Sequence, residues 1–119
     1  MEILEGDALN RAVAEAEGWR YQEIGDGLGW WVPPPNTSDI LPRYVDSADL
    51  TWAVVDGLLA KDETIYFSVA ITKNRTMAMV RKLGDRLAVL AEVVHAHRNT
   101  AILNACLRAY EAMKKAQDA

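Results

Sequence analysis

Between Thr64 and Thr72 the chain alternates without a break. Ile65, Phe67, Val69 and Ile71 point one way, and Tyr66, Ser68, Ala70 and Thr72 point the other. A β-strand puts successive residues on opposite faces and a helix does not, so this stretch is a strand. Lys73-Asn74-Arg75 is a polar turn, Thr76 to Arg81 another strand, and Leu83-Gly84-Asp85 another turn. Leu87 to Ala96 is apolar almost throughout, the pattern of a strand covered on both faces. Strands joined by turns this short commit the middle of the chain to an antiparallel sheet.

Helical segments flank these strands. Leu9, Val13 and Ala16 fall at helical spacing, Asp7 suits the first turn, and Gly18 stops the helix near Glu17. Trp19 follows at once. Arg20 to Ile24 and Gly29 to Val32 read as a hairpin around Gly25-Asp26-Gly27, and Pro33, Pro34 and Pro35 end it because proline donates nothing to a ladder. A polar connection runs from Asn36 to Asp39. Asp46 or Ser47 caps the next helix, whose buried face is Leu50, Val54, Val55, Leu58 and Leu59, with Trp52 beside it. Gly57 inside that helix suits a close packing contact. Asn99 or Thr100 caps a last helix with the stripe Ile102, Leu103, Cys106, Leu107, Tyr110 and Met113. The order is αββαβββα, in 119 residues that suffice for one domain. The expected fold is α+β: a single antiparallel-rich sheet sandwiched by helices.

A net charge of −4 argues against a general DNA or RNA binder, but it conceals a split. Residues 1–60 carry 3 Lys/Arg against 11 Asp/Glu, whereas residues 61–119 carry 10 against 6. Cys106 is alone, so no internal disulfide and no cysteine zinc site is expected. No apolar run approaches the roughly 20 residues of a membrane span, and the acidic start Met1-Glu2-Ile3-Leu4-Glu5 is unlike a signal peptide. A soluble protein of a reducing compartment is the expectation.

Catalytic sets are missing from the pattern. His95 and His97 lie two apart without a third ligand at a recognisable spacing, and read best as a polar strand end. The glycine-rich Gly25 to Gly29 has no following helix N-terminus to hold phosphate. No nucleophile elbow, P-loop or dinucleotide fingerprint is present.

The arginines are more informative, because guanidinium groups bind phosphate bidentately and stack on bases. Lys73, Arg75, Arg81, Lys82 and Arg86 crowd one stretch with only Asp85 against them. Arg98 precedes the last helix, and Arg108 lies beside its apolar stripe. A solvated basic face is the competing reading. Trp19, Trp30 and Trp31 each stand open between core packing and recognition, since an exposed indole accepts a base or a cation.

Leu9-Asn10-Arg11-Ala12-Val13-Ala14-Glu15-Ala16-Glu17-Gly18-Trp19 resembles the opening of the phage α/β/α ("ABA") sandwich domain family, where a short helix ends in Gly-Trp. Pro42-Arg43-Tyr44-Val45-Asp46-Ser47-Ala48-Asp49-Leu50-Thr51-Trp52-Ala53-Val54-Val55 is similar to its second block, and Asn99 to Ala109 to its third. Ala101 stands where the third block usually has proline, and the capping Asp is displaced onto Asp46. The layout is similar to that of phage anti-Thoeris sponges. The resemblance implies a non-enzymatic anti-defence protein of the host cytoplasm, without a cofactor. It would sequester a cyclic ADP-ribose isomer, or a cyclic oligonucleotide, as a homo-oligomer (a dimer or a trimer of dimers). Trp19 matches the family's Gly-Trp, Arg108 lies in the matched last helix, and Arg43 in the second block. Phe67, Arg75, Arg98 and Asn99 are added from chemistry alone. The alternative function is a protein-binding inhibitor or structural protein, and a small hydrolase stands third.

Overall fold

The computed structural model describes residues 2–35, 37 and 40–118. In chain order it contains helix α1 (Gly6–Ala16), strands β1 (Arg20–Gly25) and β2 (Leu28–Val32), a 3-10 turn (Tyr44–Asp46), helix α2 (Ala48–Lys61), strands β3 (Ile65–Ile71), β4 (Thr76–Leu83) and β5 (Leu87–His95), and helix α3 (Arg98–Asp118). The fold is α+β in the expected order. Asn36, Ser38 and Asp39 of the polar connection lie outside the described residues.

The strands form two antiparallel sheets where one was expected: the hairpin β1-β2, and the sheet β3-β4-β5. The proline run after β2 ends pairing there, and the hairpin leans on α1 instead. The Arg11 guanidinium lies 4.9 Å from the Tyr21 ring and 5.7 Å from the Trp31 ring, which meet edge to face. Asp26 and Gly27, at φ 52° and 76°, have the sign pattern of the type I′ turn that matches hairpin twist.

The end of α1 explains the Gly18-Trp19 pair. Gly18 adopts φ 101°, its N–H donates to Glu15 O, and the Trp19 N–H donates to Ala14 O. This is a Schellman cap, which carries the residue after the glycine back onto the helix. Trp19 is thereby driven into the core, 2% exposed.

Helix α3 is the central element, touching β4 and β5 on one side and α1 and α2 on others. Ala101, Ile102, Leu103, Asn104, Ala105 and Cys106 are all buried in succession, as a helix wrapped by neighbours requires. Small residues let those neighbours approach, but a Cβ at Gly57 of α2 would meet only the Tyr110 hydroxyl, at 3.7 Å, so the close packing contact expected at Gly57 does not itself require glycine. Ser47 caps α2, its Oγ accepting from Leu50 N at 3.2 Å.

Helices cover only one face of the larger sheet. Ile65, Ala78, Val80, Ala91 and Val93 are buried on that face, whereas Tyr66, Leu83, Leu87, Val89 and Val94 are exposed on the other. The expectation that β5 is covered on both sides is therefore corrected. A bulge opposite the Val80/Arg81 step shifts the register, so that Val80 faces Ala91 and Arg81 faces Val89. The extra residue, Leu90, packs against the core, and the apolar run thus comes from one covered face, one bulge and one bare face.

Candidate functional site

Buried amides build one end of the molecule. Asn10 Nδ2 donates to Pro42 O at 3.0 Å and its Oδ1 accepts from Val45 N at 3.3 Å. Thr51 Oγ1 donates to Tyr44 O at 2.9 Å, and Asn99 Nδ2 donates to Val45 O at 3.0 Å. These bonds tie the 3-10 turn and the segment before it to α1, α2 and, through Asn99, the start of α3. Asn99 is accordingly not the cap expected of it, because α3 begins one residue earlier, at Arg98.

Between these pieces lies a cleft of ≈ 570 Å³, lined by Gly6, Val45, Asp46, Ala96, His97, Arg98, Asn99 and Thr100. The first N–H groups of a helix lack partners within it and sit at the positive end of its dipole, so this end of α3 attracts anions. Arg98 adds a full charge. Arg75 extends from the β3-β4 turn at the same end of the sheet, next to Thr76, which pairs with His95. Its backbone is fixed by Thr72, whose N–H donates to Arg75 O at 2.8 Å.

Asp46 is the one acidic residue of that lining. Arg43 Nη1 lies 2.8 Å from Asp7 Oδ1 and Arg43 Nε 3.0 Å from Asp46 Oδ2, so its guanidinium is engaged between two carboxylates. Those bonds raise the Arg43 pKa further, the one to Asp7 foremost. The cleft is polarised, with donors at Arg98 and the helix start and an acceptor at Asp46. Next to the lining residue His97, His95 Nδ1 accepts from His97 N at 3.0 Å, and its Nε2 meets Glu5 Oε1 at 2.6 Å. That leaves Nε2 as the donor. Among the described residues no group of three or more His, Cys, Asp or Glu is placed to hold a metal.

Arg98, Asn99, Arg43 and Arg75 thus share one end of the molecule, and the other three residues singled out in the sequence lie apart. Trp19 is core. Phe67 is half-buried on the helix side of β3, with its ring edge-on to Trp52 at 6.0 Å. Arg108 is half-buried on α3, ten residues or about 15 Å of helix axis beyond Arg98.

A larger cleft of ≈ 880 Å³ was not foreseen. Ala16, Lys61, Lys82, Leu90, Tyr110 and Lys114 are among its lining residues. Its lysines are largely engaged, Lys82 with Asp62 at 3.1 Å and Lys61 over the Tyr110 ring at 5.4 Å. It also adjoins the C-terminal half of α3, whose dipole repels anions. Nearby, burial raises the Glu17 carboxyl, with Lys61 opposing, and burial followed by the Glu17 charge pushes the Cys106 thiol up to about 12. Cys106 therefore stays a neutral, buried thiol. Comparisons of the chain with family profiles, with curated proteins and with solved structures return no match.

Proposed function

We propose that this chain binds a compact cyclic nucleotide signal in the cleft at the start of α3 and holds it without degrading it. The observation that carries the reading is the polarity of that cleft. Arg98 and the helix N-terminus suit phosphate, and the second oxygen of Asp46, not used by Arg43, suits the amine or hydroxyl donors of a nucleoside. A volume of ≈ 570 Å³ falls within the range of small-ligand sites. The resemblance to the phage sandwich family extends this to an anti-defence role in the host cytoplasm, with a cyclic ADP-ribose isomer as the first ligand to try.

A panel of cyclic ADP-ribose isomers and cyclic oligonucleotides, scored by thermal unfolding, tests it. A ligand at about 100 times its Kd stabilises by roughly 2.7 kcal/mol, and it should be recovered intact after heat release. No shift with any member of the panel defeats the reading, and recovered breakdown products convert it to a hydrolase. The uncovered sheet face is the one observation that favours an interaction protein instead.

A further inference from the structure

The face of β3-β4-β5 turned away from the helices carries Tyr66, Ser68 and Ala70 on β3, Met77, Met79, Arg81 and Leu83 on β4, and Leu87, Val89, Glu92 and Val94 on β5. Tyr66, Leu83, Leu87, Val89 and Val94 are each between 44% and 55% exposed. Together they leave on the order of 500 Å² of apolar surface in water, at the upper end for a monomer. Tyr66, Ser68, Arg81, Leu83 and Leu87 frame a depression of ≈ 320 Å³ in it, room for a side chain of a facing surface.

Two features say what covers this face. Its whole exposed area, on the order of 800 Å², is what each partner of a standard specific interface contributes. It also bears one charge of each sign in adjacent rows, Arg81 opposite Val89 and Glu92 opposite Met79. Arg81 Nε donates to the Met79 sulfur at 2.8 Å, and neither charge makes an ion pair with a described residue. A two-fold axis brings the basic position of one copy onto the acidic position of the other, twice, so a surface with one of each is complementary to itself. Two sheets in this arrangement stack about 10 Å apart with apolar side chains between them.

We propose that a second copy of this chain covers the open face of β3-β4-β5, in a two-fold sandwich where Arg81 of each copy meets Glu92 of the partner subunit. This is independent of the nucleotide reading, whose cleft lies at the start of α3.

Sedimentation equilibrium of the full chain, from about 1 to about 100 μM, gives the test. A dimer is expected. Val89→Glu should yield a folded monomer by circular dichroism, while Ile24→Glu, exposed on the hairpin, should leave the dimer intact. Arg81→Glu and Glu92→Arg alone should each weaken association at least tenfold. An equimolar mixture of those two variants should dimerise again, because every facing pair regains opposite signs. A chain monomeric throughout the range overturns the proposal and leaves the face to a different protein. A dimer that survives Val89→Glu, or charge variants that fail to complement, also overturns it.

Discussion

The side-chain amide of Asn104 brackets the backbone of Leu4. Oδ1 accepts from Leu4 N and Nδ2 donates to Leu4 O, both at 2.9 Å, with a second Nδ2 bond to Thr100 O at 2.8 Å. The segment before α1 is thereby fastened to the middle of α3 across a sequence separation of 100 residues.

Asn104 is 3% exposed, so its loss leaves buried groups unsatisfied. Asn104→Ala should cost about 2 kcal/mol in urea unfolding. Asn104→Asp should cost more, because a carboxylate then faces two carbonyl oxygens. An Asp variant milder than the Ala variant would contradict the placement of this side chain against the Leu4 and Thr100 carbonyl oxygens.

The Schellman cap at Gly18 gives a second expectation. At φ 101° an alanine is strained, although its Cβ would meet only Pro34, at 3.4 Å. Gly18→Ala should therefore cost about 1–2 kcal/mol from backbone conformation. Trp19→Ala should cost about 3–5 kcal/mol through the cavity left in the core. Chemical denaturation measures both, and a Trp19→Ala cost below that of Gly18→Ala would contradict the buried position of the indole.

These two residues show what was legible in the sequence and what was not. The helix-ending role of Gly18 and the alternation of β3 are local properties, set by backbone conformation and side-chain period, so they were readable. Whether Trp19 faces a ligand or the core depends on where the capped chain turns next, which is a tertiary fact. The Leu87–Ala96 run misled for a similar reason, since a bulge at Leu90 and a bare face produce the same string as two covered faces. Asn10, Asn99 and Asn104 were invisible as tethers because their partners are backbone atoms 32 to 100 residues away. Arg98 is legible in the sequence as a phosphate-binding candidate, but nothing local marks Asp46 as more than a helix cap, since its place in the same cleft is a tertiary fact.

Asp62 sets an acid limb of stability. The Thr64 hydroxyl foremost, then the Thr64 N–H and Lys82, lower its pKa from 3.8 to about 2. A carboxyl that is more acidic folded than unfolded stabilises the fold above its unfolded value and loses that contribution as pH falls through its folded one. Stability should thus decline between about pH 4 and about pH 2. Asp62→Asn should flatten this part of the curve of Tm against pH. An unchanged slope would remove Asp62 as its origin.

Arg98 and Arg108 separate the cleft from the rest of α3. A charge-assisted bond to phosphate is worth about 1.5–3 kcal/mol, so Arg98→Ala should weaken binding of the cyclic nucleotide by roughly 10- to 100-fold. Because Arg98 is exposed, the Tm of the free protein should hold. Arg98→Lys should recover part of the affinity, as charge returns without the planar fork. Arg108→Ala, about 15 Å along the helix, should leave affinity unchanged while lowering the Tm of the free chain, since the side chain is half-buried. Isothermal titration with the strongest ligand of the panel distinguishes the two. Loss of binding in Arg108→Ala with retention in Arg98→Ala would move the site away from the start of α3.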